Sequence, residues 1–496
     1  MFPAKFSFDV NAAPSCTSDF VVFPINAASS GSQPNIVAFN QLYSGVSSGL
    51  CNRTATGSDT GVDAEVFWSY RVSSIGGAVT TSPVISSDGT GAKIAFVEST
   101  NKASHFHVLA WKANDGRKTS DLQDVTSPIT PTVVTVSPVA GSGTMTDLSF
   151  GSTTAGSDTL SSPFIDYFSD LAYVGNDAGV LFRIKNVFCT LPSCAGAQPM
   201  IDTSFGTGGS VTVCSGKKLT GPVLNVVNSK VYVGCADGKL YAVPSTGTGT
   251  ITSITIGDGT TKTYGGIVDP PIVDSVNGFV YAESGSASTG TKAVLVQAPV
   301  SLASPVVVQI GQGNQCDLHS PTPNNAYFNS ITSSGAMMYI GGVSSGTVTS
   351  CTGGTNSGAT VALYGLTFNT TTGVIKSPAS NTLALGGGPG YEFAPMTEFF
   401  NSNTGNDWLF YSAIQSAQTN VASSEITTGF PTAFTAVTEG IGTSGIIVDN
   451  NASSTTFPQA ASIYFNALHQ NAACSNNTNN ALTGGCAVKL TQAGLN

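Results

Sequence analysis

Short runs of alternating or continuous apolar residues recur along the whole chain, separated by clusters of Gly, Asn, Asp and Ser. Alternation with period two is the mark of a half-buried strand, and short continuous runs bounded by turn residues mark fully buried strands. The clearest stretch is Gly221 to Val243, GPVLNVVNSKVYVGCADGKLYAV. It predicts a strand, a polar turn, a second strand, a tight turn at Ala236-Asp237-Gly238, and a third strand. Glycine supplies the positive φ that such a hairpin turn demands. Asn176-Asp177-Ala178-Gly179 fills the same place in its own stretch. A long amphipathic helical pattern is absent.

The pattern repeats. Copies begin at Ser82, Ser162, Thr220, Asp269, Ser320, Ala394 and Ser444, at separations from 49 residues (220 to 269) to 80 residues (82 to 162). Fourth strands are predicted at Ser210–Val213, Thr250–Ile256 and Pro305–Ile310. Near the N-terminus, Asp19–Pro24, Asn35–Asn40 and Val66–Val72 read as the second, third and fourth strands of a further copy. A repeat of this length, with strands and no helices, predicts an all-β fold: a β-propeller of eight four-stranded blades. The count becomes seven if the two terminal copies merge. A β-solenoid would have shorter and more regular repeats. The chain is read as one propeller domain over 1–496, with N-terminal closing strands and a partial blade in 1–79. Central blades fill 80–442, and a C-terminal blade in 443–496 is completed by the N-terminus. Lys5–Val10 is the candidate strand for closing the ring. Segments 140–159 and 344–358, rich in Gly, Ser and Thr, read as surface insertions.

The stretch Gly221 to Val243, with the Trp-bearing run VFWSY at Val66–Tyr70, resembles the blade of the quinoprotein-like (PQQ-type repeat) β-propellers, and is similar to secreted bacterial propellers. The resemblance implies a propeller and an extracytoplasmic location. Catalytic members of that family hold a quinone and Ca²⁺ on the propeller axis. This chain has no adjacent cysteine pair and only Trp68, Trp111 and Trp408. The fold is therefore carried over, and no cofactor, catalytic residue or metal site is assigned.

Composition narrows the partners. Of 496 residues only 9% are charged, with a net charge of -10. Eighteen Lys and Arg provide no electrostatic footprint for nucleic acid. No apolar run is long enough for a membrane-spanning helix. The opening Met1-Phe-Pro-Ala-Lys5 lacks the apolar core of a signal peptide. Ten cysteines fall into sequence-local couples: Cys16 and Cys51, Cys189 and Cys194, Cys214 and Cys235, Cys316 and Cys351, Cys474 and Cys486. None has metal-knuckle spacing. An even set in such a chain predicts structural disulfides and an oxidising compartment, with local pairing the simplest of many connectivities.

Several groups carry candidate chemistry. His105 and His107 share one face of a strand and could hold two sites on Zn or Cu, but no third ligand is evident, and an exposed strand start is favoured. His319 lies near Cys316 and Asp317, but a bridged sulfur cannot act as nucleophile. Asp88, Asp177 and Asp237 fit ordinary turn use. Asp166, Asp274, Glu398 and Asp449 occupy similar places late in the first strands; a structural role is favoured over an acidic ring in the channel. Glu392 and Glu398 form a possible acid–base couple. Gly386–Gly390 lacks the Lys of a phosphate loop. Sequons stand at Asn52, Asn369, Asn451 and Asn476.

The expected function is non-enzymatic. The chain reads as a structural or interaction module at the cell surface or beyond it, the periplasm included, with other protein chains, copies of itself or glycans as partners. A subunit of an extracellular fibre is one concrete version. Alternatives are a quinone- or metal-dependent oxidoreductase, and a lectin in which Tyr43, Tyr391 or Trp408 stacks on sugars.

Overall fold

The computed structural model describes all residues other than 7–12, 46–48, 152–158, 160, 260–261, 349–350, 352–358, 377–380, 386–389, 416–417, 440–441, 451–459, 469–482, 493–494 and 496, and other than the side chains of 390–392, 414–415 and 418–419. Its architecture is eight antiparallel blades in chain order, the β-propeller arrangement, with almost no helix.

Blade 4 shows how sequence makes a blade. Its strands are Val223–Asn225, Lys230–Gly234, Lys239–Pro244 and Thr252–Thr255. The turn before the third strand closes on Gly238, whose φ of +82° no β-branched residue would tolerate. The Gly238 carbonyl then accepts from Ile256 and Gly257 N–H at 2.8 and 2.9 Å, so one glycine joins the hairpin to the outermost strand. Blade 5 repeats the plan with Ile272–Asp274, Phe279–Ser284, Ala293–Pro299 and Val306–Ile310. Blade 6 has Thr322–Pro323, Met337–Ser345, Thr360–Thr367 and Asn381–Ala384. Blade 7 is built on Thr397–Asn401, Asn406–Gln415, Gln418–Glu425 and Thr435–Glu439.

Blade 1 comprises Ala4–Phe6, Phe20–Pro24, Ile36–Asn40 and Glu65–Tyr70. Blade 2 comprises Val84–Ile85, Lys93–Thr100, Ala103–Ala110 and Thr144–Ser149, with Thr132–Val133 added in parallel. Blade 3 comprises Phe164–Asp166, Leu171–Gly175, Val180–Lys185 and Met200–Ile201, with Ser210–Thr212 also paired to the third strand. Blade 8 shows three strands among the described residues: Ile447–Asp449, Ser462–Ala467 and Cys486–Thr491.

A second repeat lies inside the register. Tyr173, Tyr232, Tyr281, Tyr339 and Tyr464 each stand opposite the first paired residue of an innermost strand, respectively Phe164, Val223, Ile272, Thr322 and Ile447. All five are buried. Tyrosine suits the site because its ring fills the space between sheets, and in two of the blades its hydroxyl has a polar partner there. Tyr232 donates to the Val300 carbonyl, and Tyr281 accepts from the Gln297 amide at 2.9 Å.

The chain forms two compact units. Unit 1 holds Met1–Asn176, Phe182–Asp202 and Ile446–Asn496; unit 2 holds Asp177–Leu181 and Thr203–Gly445. In unit 1, blades 1 and 8 share a core of Val21, Phe23, Val37, Tyr43, Ala460 and Tyr464. In unit 2, blades 5 and 6 share a core that includes Leu295, Val308, Met338 and Ile340.

The structure departs from the sequence reading at four places. Ala4–Phe6 pairs with Phe20–Pro24 as the innermost strand of blade 1, so Lys5 belongs to that blade and not to a strand added to blade 8; positions 7–10 of the proposed closing strand lie outside the described residues. Thr144–Ser149, read as part of an insertion, is a full strand of blade 2. In blade 3 the expected fourth strand, Ser210–Thr212, does pair with the third strand, but Met200–Ile201, not expected, pairs with it as well. A short helix, Asn325–Asn329, follows the innermost strand of blade 6 and is capped by the Asn324 side chain.

A Cβ at Gly238 would lie 2.3 Å from the Gly257 carbonyl oxygen. Gly238→Ala should therefore cost at least about 2 kcal/mol, from the left-handed backbone alone plus the displaced strand. Chemical denaturation is the check, and a midpoint equal to the wild type would show that the turn is not constrained as described.

Candidate interaction surface

In three blades the third residue of the innermost strand decides what the next turn looks like. In blade 3, Asp166 Oδ1 accepts from Phe168 N–H at 3.1 Å. In blade 4, Asn225 Oδ1 accepts from Val227 N–H at 3.0 Å. In blade 5, Asp274 Oδ1 accepts from Val276 N–H at 3.1 Å and Asn277 N–H at 2.9 Å. These are Asx turns, in which a short polar side chain replaces a backbone acceptor. The residue two places on is driven outward, and in all three blades it is large and apolar. Phe168 is 90% exposed, Val227 74% and Val276 92%.

In unit 2 the feature widens. Val226 is exposed beside Val227, and Phe328 projects from the short helix of blade 6. Asp274 holds the pieces in register: its Oδ2 accepts from the Tyr327 hydroxyl at 2.6 Å, next to Phe328. One carboxylate thus fixes the blade 5 tip and the blade 6 helix together. The turns themselves, Val226–Ser229, Ser275–Gly278 and Asn325–Asn329, contain no charged residue. Grouped, protruding apolar side chains without charge are the pattern of a surface that is covered in use. Sequence reasoning missed them, although the signal was there: Asp166-Tyr-Phe168, Asn225-Val-Val227 and Asp274-Ser-Val276 repeat one motif at one place.

The acidic residues late in the first strands, for which a structural role is favoured over a channel ring, have local partners. Asp166 and Asp274 cap turns. Asp449 pairs with Lys5, at 3.4 Å. Glu398 lies beside Asp407, whose Oδ2 accepts from Asn325 N–H at 2.9 Å. Glu398 Oε1 and Asp407 Oδ1 are both buried without a donor. Burial and the adjoining Asp407 push Glu398 up to about 9. The side chain of Glu392, its suggested partner, lies outside the described residues.

The histidines are not an exposed strand start. His107 is fully buried and His105 half-buried, because a neighbouring sheet covers the face they share. His107 Nε2 meets Glu98 Oε2 at 3.1 Å and Nδ1 meets the Thr146 carbonyl at 3.0 Å, while His105 Nδ1 meets Asp147 Oδ1 at 2.5 Å. Both nitrogens of His107 therefore have oxygen partners. Burial would raise Asp147, but the two histidines hold it below the ordinary carboxylate range. In blade 5, His319 Nδ1 meets Asp269 Oδ2 at 3.0 Å. Burial, reinforced by Asp269, pushes nearby Glu283 well above its usual range. Among the described residues, no group of three His, Cys, Asp or Glu side chains is arranged to hold a metal ion. With the acidic series engaged as above, these described residues do not fit a quinone–Ca²⁺ site.

Disulfides join Cys16 to Cys51, Cys189 to Cys194, Cys214 to Cys235 and Cys316 to Cys351. Cys316 is thus no nucleophile for His319. Cys486 is also bridged; Cys474 lies outside the described residues. Closing the loops between partners 35 residues apart contributes about 3–4 kcal/mol each. Asp88, Asp177 and Asp237 serve turns or pair locally, as with Asp237 Oδ1 and Lys239 N–H at 3.0 Å. Of the suggested sugar-stacking residues, Tyr43 is buried and donates to Asp19 at 2.6 Å, Trp408 is half-buried, and the Tyr391 side chain lies outside the described residues. Asn52 and Asn369 are exposed; Asn451 and Asn476 are outside the described residues. So are positions 386–389 of the glycine run. A cavity beside Phe393 and Gly341, about 10 Å³, has room for one water.

No family model and no curated protein sequence matches the chain. Solved structures resemble it in form. BamB from Moraxella catarrhalis is 13% identical over 99% of this chain and 97% of that one, with a TM-score of 0.41. The dihydro-heme d1 dehydrogenase NirN, in complex with DHE, is 9% identical over 85% and 64%, with a TM-score of 0.42. U3-55K is 9% identical over 83% and 95%, with a TM-score of 0.40. The propeller fold is established by the strand pairings themselves.

Glu398 carries a pH signature. Its folded pKa, about 9, lies above the ordinary 4.5, so its contribution is fully present in acid and is lost as pH rises from about 4.5 through about 9. Glu398→Gln, which cannot ionise, should flatten that decline and raise the melting temperature at pH 8 relative to wild type. Parallel melting curves for the two proteins between pH 5 and 9 would contradict the raised Glu398.

Proposed function

We propose that this chain is a non-enzymatic propeller module that binds other protein chains through the capped apolar tips of unit 2, and that it works outside the reducing cytoplasm. The observation that carries this reading is the group Val226, Val227, Val276 and Phe328, exposed on rigid, uncharged turns. Burying such a side chain on association contributes about 1.5–3 kcal/mol, so a few of them suffice for a specific contact.

The disulfides support an oxidising location, and no helix among the described residues is long and apolar enough to cross a membrane. The partner is a neutral apolar protein surface, and the version put to test is a second copy of this chain. The low charge density, 9% of residues, leaves little repulsion to keep copies apart. If successive copies meet through unlike surfaces, the contact propagates into a fibre.

The test is sedimentation velocity over a concentration series, with negative-stain imaging of the same samples. Wild type should form dimers or longer assemblies as concentration rises. The double variant Val227→Asp with Val276→Asp should remain monomeric, with an unchanged circular dichroism spectrum. A wild-type protein that stays monomeric at every concentration would overturn the self-association reading.

A further inference from the structure

The first and last sheets of the chain lie side by side in unit 1. Where their innermost strands meet, Lys5 of blade 1 points at Asp449 of blade 8, with Nζ 3.4 Å from Oδ1, and both side chains are 1% exposed. The seam around them is apolar: Val21, Tyr43, Ala460 and Tyr464 are all buried, and Ile447 packs against them. A second carboxyl shares it. Asp19 is buried, accepts from the Tyr43 hydroxyl at 2.6 Å and, together with Asp449, acts electrostatically on Tyr464. A second, half-buried lysine, Lys489, donates to the Leu42 carbonyl.

Such a pair is poorly served by remaining ionic. Removing two charges from water costs several kcal/mol per ion, and their attraction repays this only with excellent geometry. A chemical exit exists. We propose that Lys5 and Asp449 condense to an isopeptide bond, which links the innermost strand of the first blade covalently to that of the last. The step balances without oxidant or reductant. Proton transfer from Nζ to the carboxylate within the pair yields a neutral amine and a neutral acid. The Nζ lone pair attacks Cγ, forming the Nζ–Cγ bond. Asp19 accepts a proton from nitrogen and returns it to the departing oxygen, the Cγ–O bond breaks, and one water leaves. The product is a secondary amide: two buried charges are replaced by one neutral dipole.

Lys5 is the nucleophile by geometry, since its nitrogen faces the Asp449 carboxyl while that of Lys489 is held on a backbone carbonyl. Asp19 acts as the proton carrier by position, as the further carboxyl buried in the same seam.

Mass spectrometry of the purified full-length chain, reduced and alkylated so that the disulfides do not contribute, reads the outcome directly. The intact chain should be lighter than its sequence mass by one water, and digestion should yield a branched peptide joining the segments around Lys5 and Asp449. Lys5→Arg should restore the full mass. Asp19→Asn should leave a large fraction of molecules unlinked while the fold, followed by circular dichroism, persists. A wild-type chain at full mass, or a branch mapped to Lys489, would overturn the proposal. The wild-type measurement alone decides it, whatever the variants do to folding.

Discussion

The contact between the two ends of the chain is the constraint on which unit 1 depends. Blade 1 is made by residues at the start of the sequence and blade 8 by residues at its end, yet Val21, Phe23 and Val37 pack directly against Ala460 and Tyr464. Among the described residues no strand is shared between the two sheets. The junction is held by packing, by the buried Lys5–Asp449 pair, and by hydrogen bonds such as that from the Asn466 amide to the Pro24 carbonyl. Contacts separated by most of the chain carry the largest loop-closure cost in folding. The most distant pairing is therefore also one anchored by several buried polar groups.

Within a blade the logic is local. Gly238 turns the chain, Tyr232 fills the space towards the next sheet, and Asn225 caps the first turn. Each acts through its own side chain or its lack of one, and each has a counterpart in another blade: Gly179 turns, Tyr281 fills and Asp274 caps. Repetition of this kind lets a sequence with few charges still specify one register, because every blade repeats the same local decisions.

That repetition is why much of the fold was legible in the sequence. The Ala236-Asp237-Gly238 turn and the alternating runs beside it announced hairpins, and eight such units were countable. Thr144–Ser149 was hidden because its residues, TMTDLS, resemble the Gly, Ser and Thr around them, and only pairing with the third strand of blade 2 identifies it. His107 was misread for a related reason. Period two tells which residues share a face but not whether another sheet covers that face. The apolar tips required a third kind of information: which strand residues occupy equivalent positions across blades. Once the register is known, Asp166, Asn225 and Asp274 fall into one column, and the structural role favoured for the acidic positions takes the specific form of a turn cap.

The division of labour in those turns has a consequence for how the surface can change over time. The backbone course is set by the capping side chain, whereas the projecting residue two places later contributes almost nothing to holding the turn. Phe168, Val227 and Val276 can thus be exchanged freely without disturbing the blade beneath. Recognition and foldability are assigned to different positions of the same short motif, so a lineage carrying this scaffold can retarget its contacts one tip at a time.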